Sequence, residues 1–360
     1  MWSRFLKFTL GYNSNGILMH FAGLIRWLSS NVKRAIFSCN LQFHKRLYLC
    51  YLFIIIILGF VLLERSPHNF IREFYPDGFD ALSICKQHEY LLGVDREHHI
   101  VKALKAVDGK EVAILGKVLV AGDDNEHFKN PSGILCDEQR SRILVSDTGN
   151  KRIQVFSISD FSFLKSVKTV EHYSVLALDY ENNRIFSILL ETPDDRIGSK
   201  IRILDAEKLQ IQGNPLDVSF SDGSSYERKM FAVDLAVDAK QKKLLVLDFG
   251  NARYDIFSLD DLRFEGVRGV PSGFYDYGLP ARHPNRPMGI AVDDITGHIA
   301  VSDDADMHRI QLFSSRKVES LTNKYLFAPE RLAFFKGKLF VTDRDPKTGQ
   351  KRLNLFGEYN

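Results

Sequence analysis

The chain has 360 residues, long for one ordinary domain and short for three, and its 45% hydrophobic and 26% charged residues exclude a disordered or fibrous protein. The net charge of +3 is unevenly spread: residues 1–65 hold eight Lys/Arg against the single acid Glu64, a surplus of seven, while the remainder holds 40 Lys/Arg against 44 Asp/Glu, a deficit of four. A mildly acidic body has no general attraction for nucleic acid, which argues against RNA binding.

In chain order, a basic arm over 1–46 comes first, with no acidic residue in it. Residues 47–63 then read LYLCYLFIIIILGFVLL, 17 residues without a charge, bounded by Lys45 and Arg46 before and Glu64 and Arg65 after. Thirteen of them are Leu, Ile, Phe or Val, together worth about −4 to −8 kcal/mol of insertion free energy. As a helix the run is about 26 Å long, and a single transmembrane helix is expected there. It begins late and lacks a small-x-small exit before Glu64, so it reads as a signal-anchor rather than a cleaved signal peptide. Seven Lys/Arg precede the span and only Arg65 and Arg72 follow it closely. The N-terminus is therefore expected in the cytoplasm and the body in an extracytoplasmic or lumenal space. The acid-free arm, with apolar patches at 17–21 and 24–28, also fits a mitochondrial presequence before an inner-membrane anchor, which is the alternative. No glycosylation sequon follows Leu63, because Asn130 is followed by Pro. The body holds two cysteines, Cys85 and Cys136, enough for one disulfide and not for a stapled scaffold.

The body repeats itself. Pro131-Ser-Gly-Ile-Leu-Cys-Asp137 is followed by Val145-Ser-Asp147 and Lys151-Arg-Ile-Gln-Val-Phe156. The frame returns at Pro287-Met-Gly-Ile-Ala-Val-Asp293, Val301-Ser-Asp303 and His308-Arg-Ile-Gln-Leu-Phe313, and again at Leu235-Ala-Val-Asp238, Val246-Leu-Asp248 and Ala252-Arg-Tyr-Asp-Ile-Phe257. Weaker copies occupy the gaps, so that the first Asp position falls at residues 85, 137, 179, 238, 293 and 335, a mean spacing of 50. Each copy contains three or four short runs of β-formers separated by Gly, Asp, Asn or Lys turns. A four-stranded sheet cannot bury both faces alone, so the six copies are expected to close into a propeller. Residues 70–75, a spare β segment, are expected to pair beside 352–356 and lock the ring.

The segments NPSGILCDEQRSRILVSDTGNKRIQVF and RPMGIAVDDITGHIAVSDDADMHRIQLF resemble NHL repeats, whose consensus has a Pro-x-Gly strand, a Val-x-Asp strand and an Arg-Ile-Gln strand. The resemblance covers about residues 75–360 and implies an all-β, six-bladed propeller of the NHL/TolB-like kind over 66–360. It also implies two functional classes. Propellers of this family commonly present rigid loops to a partner protein, which predicts a membrane-tethered module that binds a protein or small ligand. Related six-bladed propellers are enzymes: a peptide-amidating lyase, and calcium-dependent lactonases, esterases and strictosidine-synthase-like proteins. The lyase would need channel-facing His at the inner strands, where this chain has Gly, Asp, Val or Arg. A calcium site drawn from scattered Asp, Asn and Glu stays open.

The repeated Asp and Arg, among them Asp147 with Arg152 and Asp303 with Arg309, are expected to cap turns and pair locally. His308 takes the motif's His as framework, and His98-His99 fall where the second copy has Lys151-Arg152. No spacing typical of a zinc site occurs, and no transition metal is assigned. Departures from the repeat are more informative. The Gly that opens the inner strand (Gly133, Gly289) becomes Asp234 and Arg331 two blades apart, with Glu330 and Arg286 nearby. These four are expected at one mouth of the central channel, as a polar-ligand or cation site or as a solvated pair. The stretch 266–286, rich in Gly, Pro and aromatics, is expected to be a long inter-blade loop, with Tyr275 and Tyr277 as contact residues.

Overall fold

The computed structural model describes residues 70–357 except 76, 194, 196–199, 219–230, 270–285, 305–307, 315–317 and 323–325. The expected membrane span at 47–63 lies outside the described residues, within which no helix is long and apolar enough to cross a bilayer. The described chain is all-β apart from two three-residue 3-10 turns, Glu138–Arg140 and Thr148–Asn150.

Alternating apolar runs become strands because one face of each strand must leave water. They assemble into six four-stranded antiparallel sheets. In blade 2 the strands are Gly133–Asp137, Arg142–Asp147, Arg152–Ser157 and Phe163–Lys168, running outward from the centre. Blades 1, 3, 4 and 5 repeat that order, with inner strands Ala81–Cys85, His172–Asp179, Ala232–Asp238 and Pro287–Val292. Blade 6 is built from both ends of the body. Its first three strands are Leu332–Phe335, Lys338–Arg344 and Lys351–Phe356, and its outer strand is Phe70–Tyr75, antiparallel to the last, with Phe70 opposite Phe356. The expected closure is observed.

Period-two alternation gives every blade two apolar faces. In blade 2, Ile134, Cys136, Ile143 and Val145 pack toward blade 1, while Leu135, Leu144, Ile153 and Val155 pack toward blade 3. The buried apolar residues accordingly fall into six clusters, one at each junction between neighbouring blades. With each buried Leu, Ile, Val or Phe worth about 1.5–3 kcal/mol, these junctions are the main driving force. A disulfide, Cys85–Cys136, joins the inner strands of blades 1 and 2.

Two glycines show how tightly the inner strands approach. A Cβ on Gly133 would lie 2.1 Å from the Ser174 carbonyl oxygen of the next blade, and one on Gly289 would lie 2.2 Å from that of Glu330. No side chain fits there unless it turns into the channel. The expected loop at 266–286 begins later than its composition suggested: Gly266–Arg268 complete the outer strand Phe264–Arg268 of blade 4, and a register shift beside Gly266 absorbs its irregular backbone. Tyr275 and Tyr277 lie outside the described residues.

Candidate functional site

The repeated acids hold the blades together. Asp147 is fully buried and accepts hydrogen bonds from Arg152 Nε at 2.6 Å, Asn150 Nδ2 at 2.9 Å and the Lys129 backbone N–H at 2.7 Å. Asp303 bonds Arg309 and the Arg286 N–H, and Asp343 bonds Arg352 and the Phe327 N–H. In blade 4, Asp248 accepts from the Phe231 N–H, while Arg253 leans toward Asp255 at 2.8 Å rather than Asp248 at 3.7 Å. Each carboxylate thus ties the end of a second strand to the start of the third and to the segment leading into the same blade's inner strand. Burial pushes the carboxyls of Asp248 and Asp343 up, against the pull of their hydrogen bonds. In blade 1 the Arg is absent and His98 Nδ1 lies 2.7 Å from Asp95. His98 takes the place of Asn150, and His99, in the left-handed region like Lys151, takes that of Lys151. This register is one residue earlier than the sequence suggested, because blade 1 lacks the Arg that marks it. His308 is framework, accepting the Ala328 N–H and packing on Phe327.

Asp234 and Arg331 do meet at the channel, 3.4 Å apart, with Asp234 buried and Arg331 partly buried. The Arg331 guanidinium reaches from blade 6 to three other blades: Nε donates to Asp80 O at 2.8 Å, and Nη1 to Met288 O at 2.8 Å and Val233 O at 3.2 Å. Asp234 accepts the N–H groups of Ile290 and Leu235, each at 3.0 Å. Desolvation lifts its carboxyl above the usual range, opposed by Arg331 and these two donors. Neither Glu330 nor Arg286 is bonded to the pair, though Glu330 lines the recess above it with Arg331. Glu330 is buried against Arg344, 2.7 Å away, and the Arg286 side chain is exposed. Nearby, burial raises the carboxyl of half-buried Asp304, with Arg286 opposing.

Below the pair, Leu82, Ile134, Leu176, Leu235, Ile290 and Leu332 supply an apolar collar, one residue from each blade. The cavity there measures about 70 Å³, room for a few waters and far short of the roughly 300–1,000 Å³ of a small-molecule pocket. Above the pair, a polar recess is lined by Asp80, Arg96, Ser132, Ser174, Glu330 and Arg331. Sequence reasoning missed the first four of these. The signal was present: Asp80, Ser132, Ser174 and Glu330 all stand five residues before the repeat's first Asp position, one before the register that singled out Asp234 and Arg331. Arg96 also donates to the carbonyls of Pro193 and Asp195, which follow the second strand of blade 3. Among the described residues, no group of three His, Cys, Asp or Glu is placed to hold a metal ion.

A six-bladed β-propeller with its channel crossed by an ion pair is the class that fold and site define. No family model matches the chain, and no curated protein matches it. Solved structures match in fold. A structural-genomics protein of unknown function from Bacteroides thetaiotaomicron aligns with a TM-score of 0.55 at 9% identity, over 81% of this chain and 72% of that one. The β-propeller domain of Cps50 (Swd1) from Myceliophteria thermophila aligns with a TM-score of 0.50 at 12% identity, over 81% and 99%. Hydrazine synthase of Kuenenia stuttgartiensis aligns with a TM-score of 0.50 at 11% identity, over 76% and 79%. At such identities the likeness concerns the fold alone.

Proposed function

We propose that this protein is an NHL-type propeller, tethered to a membrane through residues 47–63, that binds a partner protein through the loops of its upper face, the face on which the inner strands begin. The observation that carries this reading is the closed channel. With Arg331 bonded to three other blades and only about 70 Å³ beneath it, the centre has no room for an organic substrate, and recognition falls to the loops. The chain leaves blade 4 at Arg268 and enters blade 5 at Pro287 on that face, so the segment bearing Tyr275 and Tyr277 begins and ends there. The Cys85–Cys136 disulfide suits an oxidising compartment, in line with a body outside the cytoplasm.

The test places a photo-crosslinking residue at Tyr275 or Tyr277 of the full-length chain in its native membrane. A protein adduct that forms with the intact chain and disappears when 271–284 are deleted is the expected result. An adduct indifferent to that deletion would overturn the reading. So would hydrolysis of an ester or lactone, or cleavage of an amidated-peptide precursor, by purified protein that is abolished by Asp234→Asn.

A further inference from the structure

We infer that the polar recess above the ion pair receives a side-chain carboxylate of the partner protein, held by Arg331 Nη2 and the Ser174 hydroxyl; this rests on the reading that a partner binds the upper face. The recess lies where the inner strands begin, at the level of the ring Asp80, Ser132, Ser174, Val233, Met288 and Glu330, one residue from each blade. The four polar members of that ring line it together with Arg96 and Arg331. It measures about 20 Å³, room for about one water-sized group. A space of that size takes the tip of one side chain and not a whole small molecule.

Most polar groups around the recess are already spent. Asp80 accepts from Lys351 Nζ and from the Arg96 N–H, and Glu330 Oε1 accepts from Arg344 Nη2 at 2.7 Å and Nε at 3.1 Å. Ser132 Oγ is bonded to Thr148 Oγ1, and Arg96 reaches the carbonyls of Pro193 and Asp195. Two donors are left over. Arg331 gives Nε and Nη1 to three main-chain carbonyls, while its Nη2 meets no acceptor among the described residues. The Ser174 hydroxyl has no partner among them either, although the residue is only 6% exposed. A donor so placed weakens the fold until something supplies its acceptor.

Charge selects the acceptor. The two acids of the wall carry counter-ions of their own, Asp80 with Lys351 and Glu330 with Arg344. Asp234 faces Nη1 of Arg331 and is itself held by the Ile290 and Leu235 N–H groups. The Nη2 edge is the part of the guanidinium still open to an anion. A carboxylate answers both free donors at once, one oxygen to each, through charge-assisted bonds that are the stronger kind. A Lys or Arg tip would instead meet Arg331 directly and be repelled. The recess shares its face with the chain ends at Arg268 and Pro287, so a partner seated on the loops there has an acidic side chain within reach of it.

The experiment uses the full-length chain with the photo-crosslinking residue at Tyr275, in native membranes opened with mild detergent so that salts reach the body. Ser174→Ala, which removes a donor that holds nothing within the fold, is expected to melt like the wild type and to lower the yield of protein adduct about tenfold, the loss of one hydrogen bond to a charged group. Ser174→Asp, which sets a carboxylate of the chain's own beside Nη2, is expected to abolish the adduct. With the wild type, excess sodium acetate should lower the yield and sodium chloride at the same ionic strength should not. If no adduct forms under any condition, the partner reading fails and this inference with it. An adduct that forms equally well with S174A, S174D and acetate sinks the recess contact alone. Acetate that raises the melting temperature yet leaves the adduct intact assigns the recess to a free carboxylate, and chloride that competes as well as acetate assigns it to any small anion; either result overturns the proposal.

Discussion

Replacing Arg331 with Met removes the cation from the channel while keeping the length of its apolar stem. Asp234 would lose a partner at 3.4 Å and keep two backbone donors at 3.0 Å, and three main-chain carbonyls would lose their donor. Removing one member of a buried ion pair costs about 3–5 kcal/mol, which lowers the midpoint of thermal unfolding by roughly 10 °C in a domain of this size. The loss should depend on pH. Burial already holds the Asp234 carboxyl above its unfolded value, and without Arg331 it rises further. A carboxyl raised in the folded state favours the fold only when protonated. Its stabilisation is complete below the unfolded value, near 4, and disappears as pH climbs through the folded one. R331M should therefore be most destabilised at neutral pH and approach the wild type as the solution is acidified. Adding D234N should recover most of the deficit at pH 7. Circular-dichroism melts of the full chain across pH 4–8 measure all of this. An R331M protein within about 0.5 kcal/mol of wild type, or a double variant no more stable than the single one, would refute the view that the pair closes the channel.

Three further outcomes are expected. Asp147→Ala, which takes the carboxylate from buried Arg152, leaving it only main-chain carbonyls, and strands the Lys129 N–H, should cost about 3–5 kcal/mol by denaturant unfolding; Lys117→Ala, which breaks an exposed pair, should leave the curve unchanged, and equal effects would contradict the structural role of the repeated acid. The Cys85–Cys136 bridge closes a loop across 51 residues and should contribute about 4 kcal/mol, so reductant should lower the melting temperature of the wild type and not of C85S/C136S; prompt alkylation of both thiols without reductant would show the bridge absent. Deleting 70–75 exposes an edge of blade 6 and removes Phe74 from its junction with blade 1, so size-exclusion chromatography should show aggregate in place of monomer, and a monomer with an unchanged melt would disprove that this strand locks the ring.

The ring was readable because its information is local and repeated. Three Asp pairs at one separation set the register, and the strand pattern between them fixed inside and outside. Asp234 and Arg331 stood out as charged residues at a glycine position. A charge pair was one reading of them, but that it lies out of solvent and spans the channel was not readable, since it depends on the width of a channel six inner strands enclose. Glu330 looked like their neighbour in sequence, yet β-alternation turns adjacent side chains apart and sends it to Arg344. The Cys85–Cys136 pairing follows once the copies are aligned, because the two fall on neighbouring inner strands within one residue of the same register. The blade 1 turn was misplaced by one residue for want of its arginine.

The seam of blade 6 also imposes an order of events. Its outer strand is among the earliest parts of the body to leave the ribosome, and its neighbour Lys351–Phe356 is among the last. The first-made strand must wait, unpaired, through synthesis of five blades, and the loop it finally closes is nearly as long as the body. Ring closure therefore cannot precede synthesis of Lys351–Phe356, and a chain truncated before Lys351 leaves the outer strand without its partner.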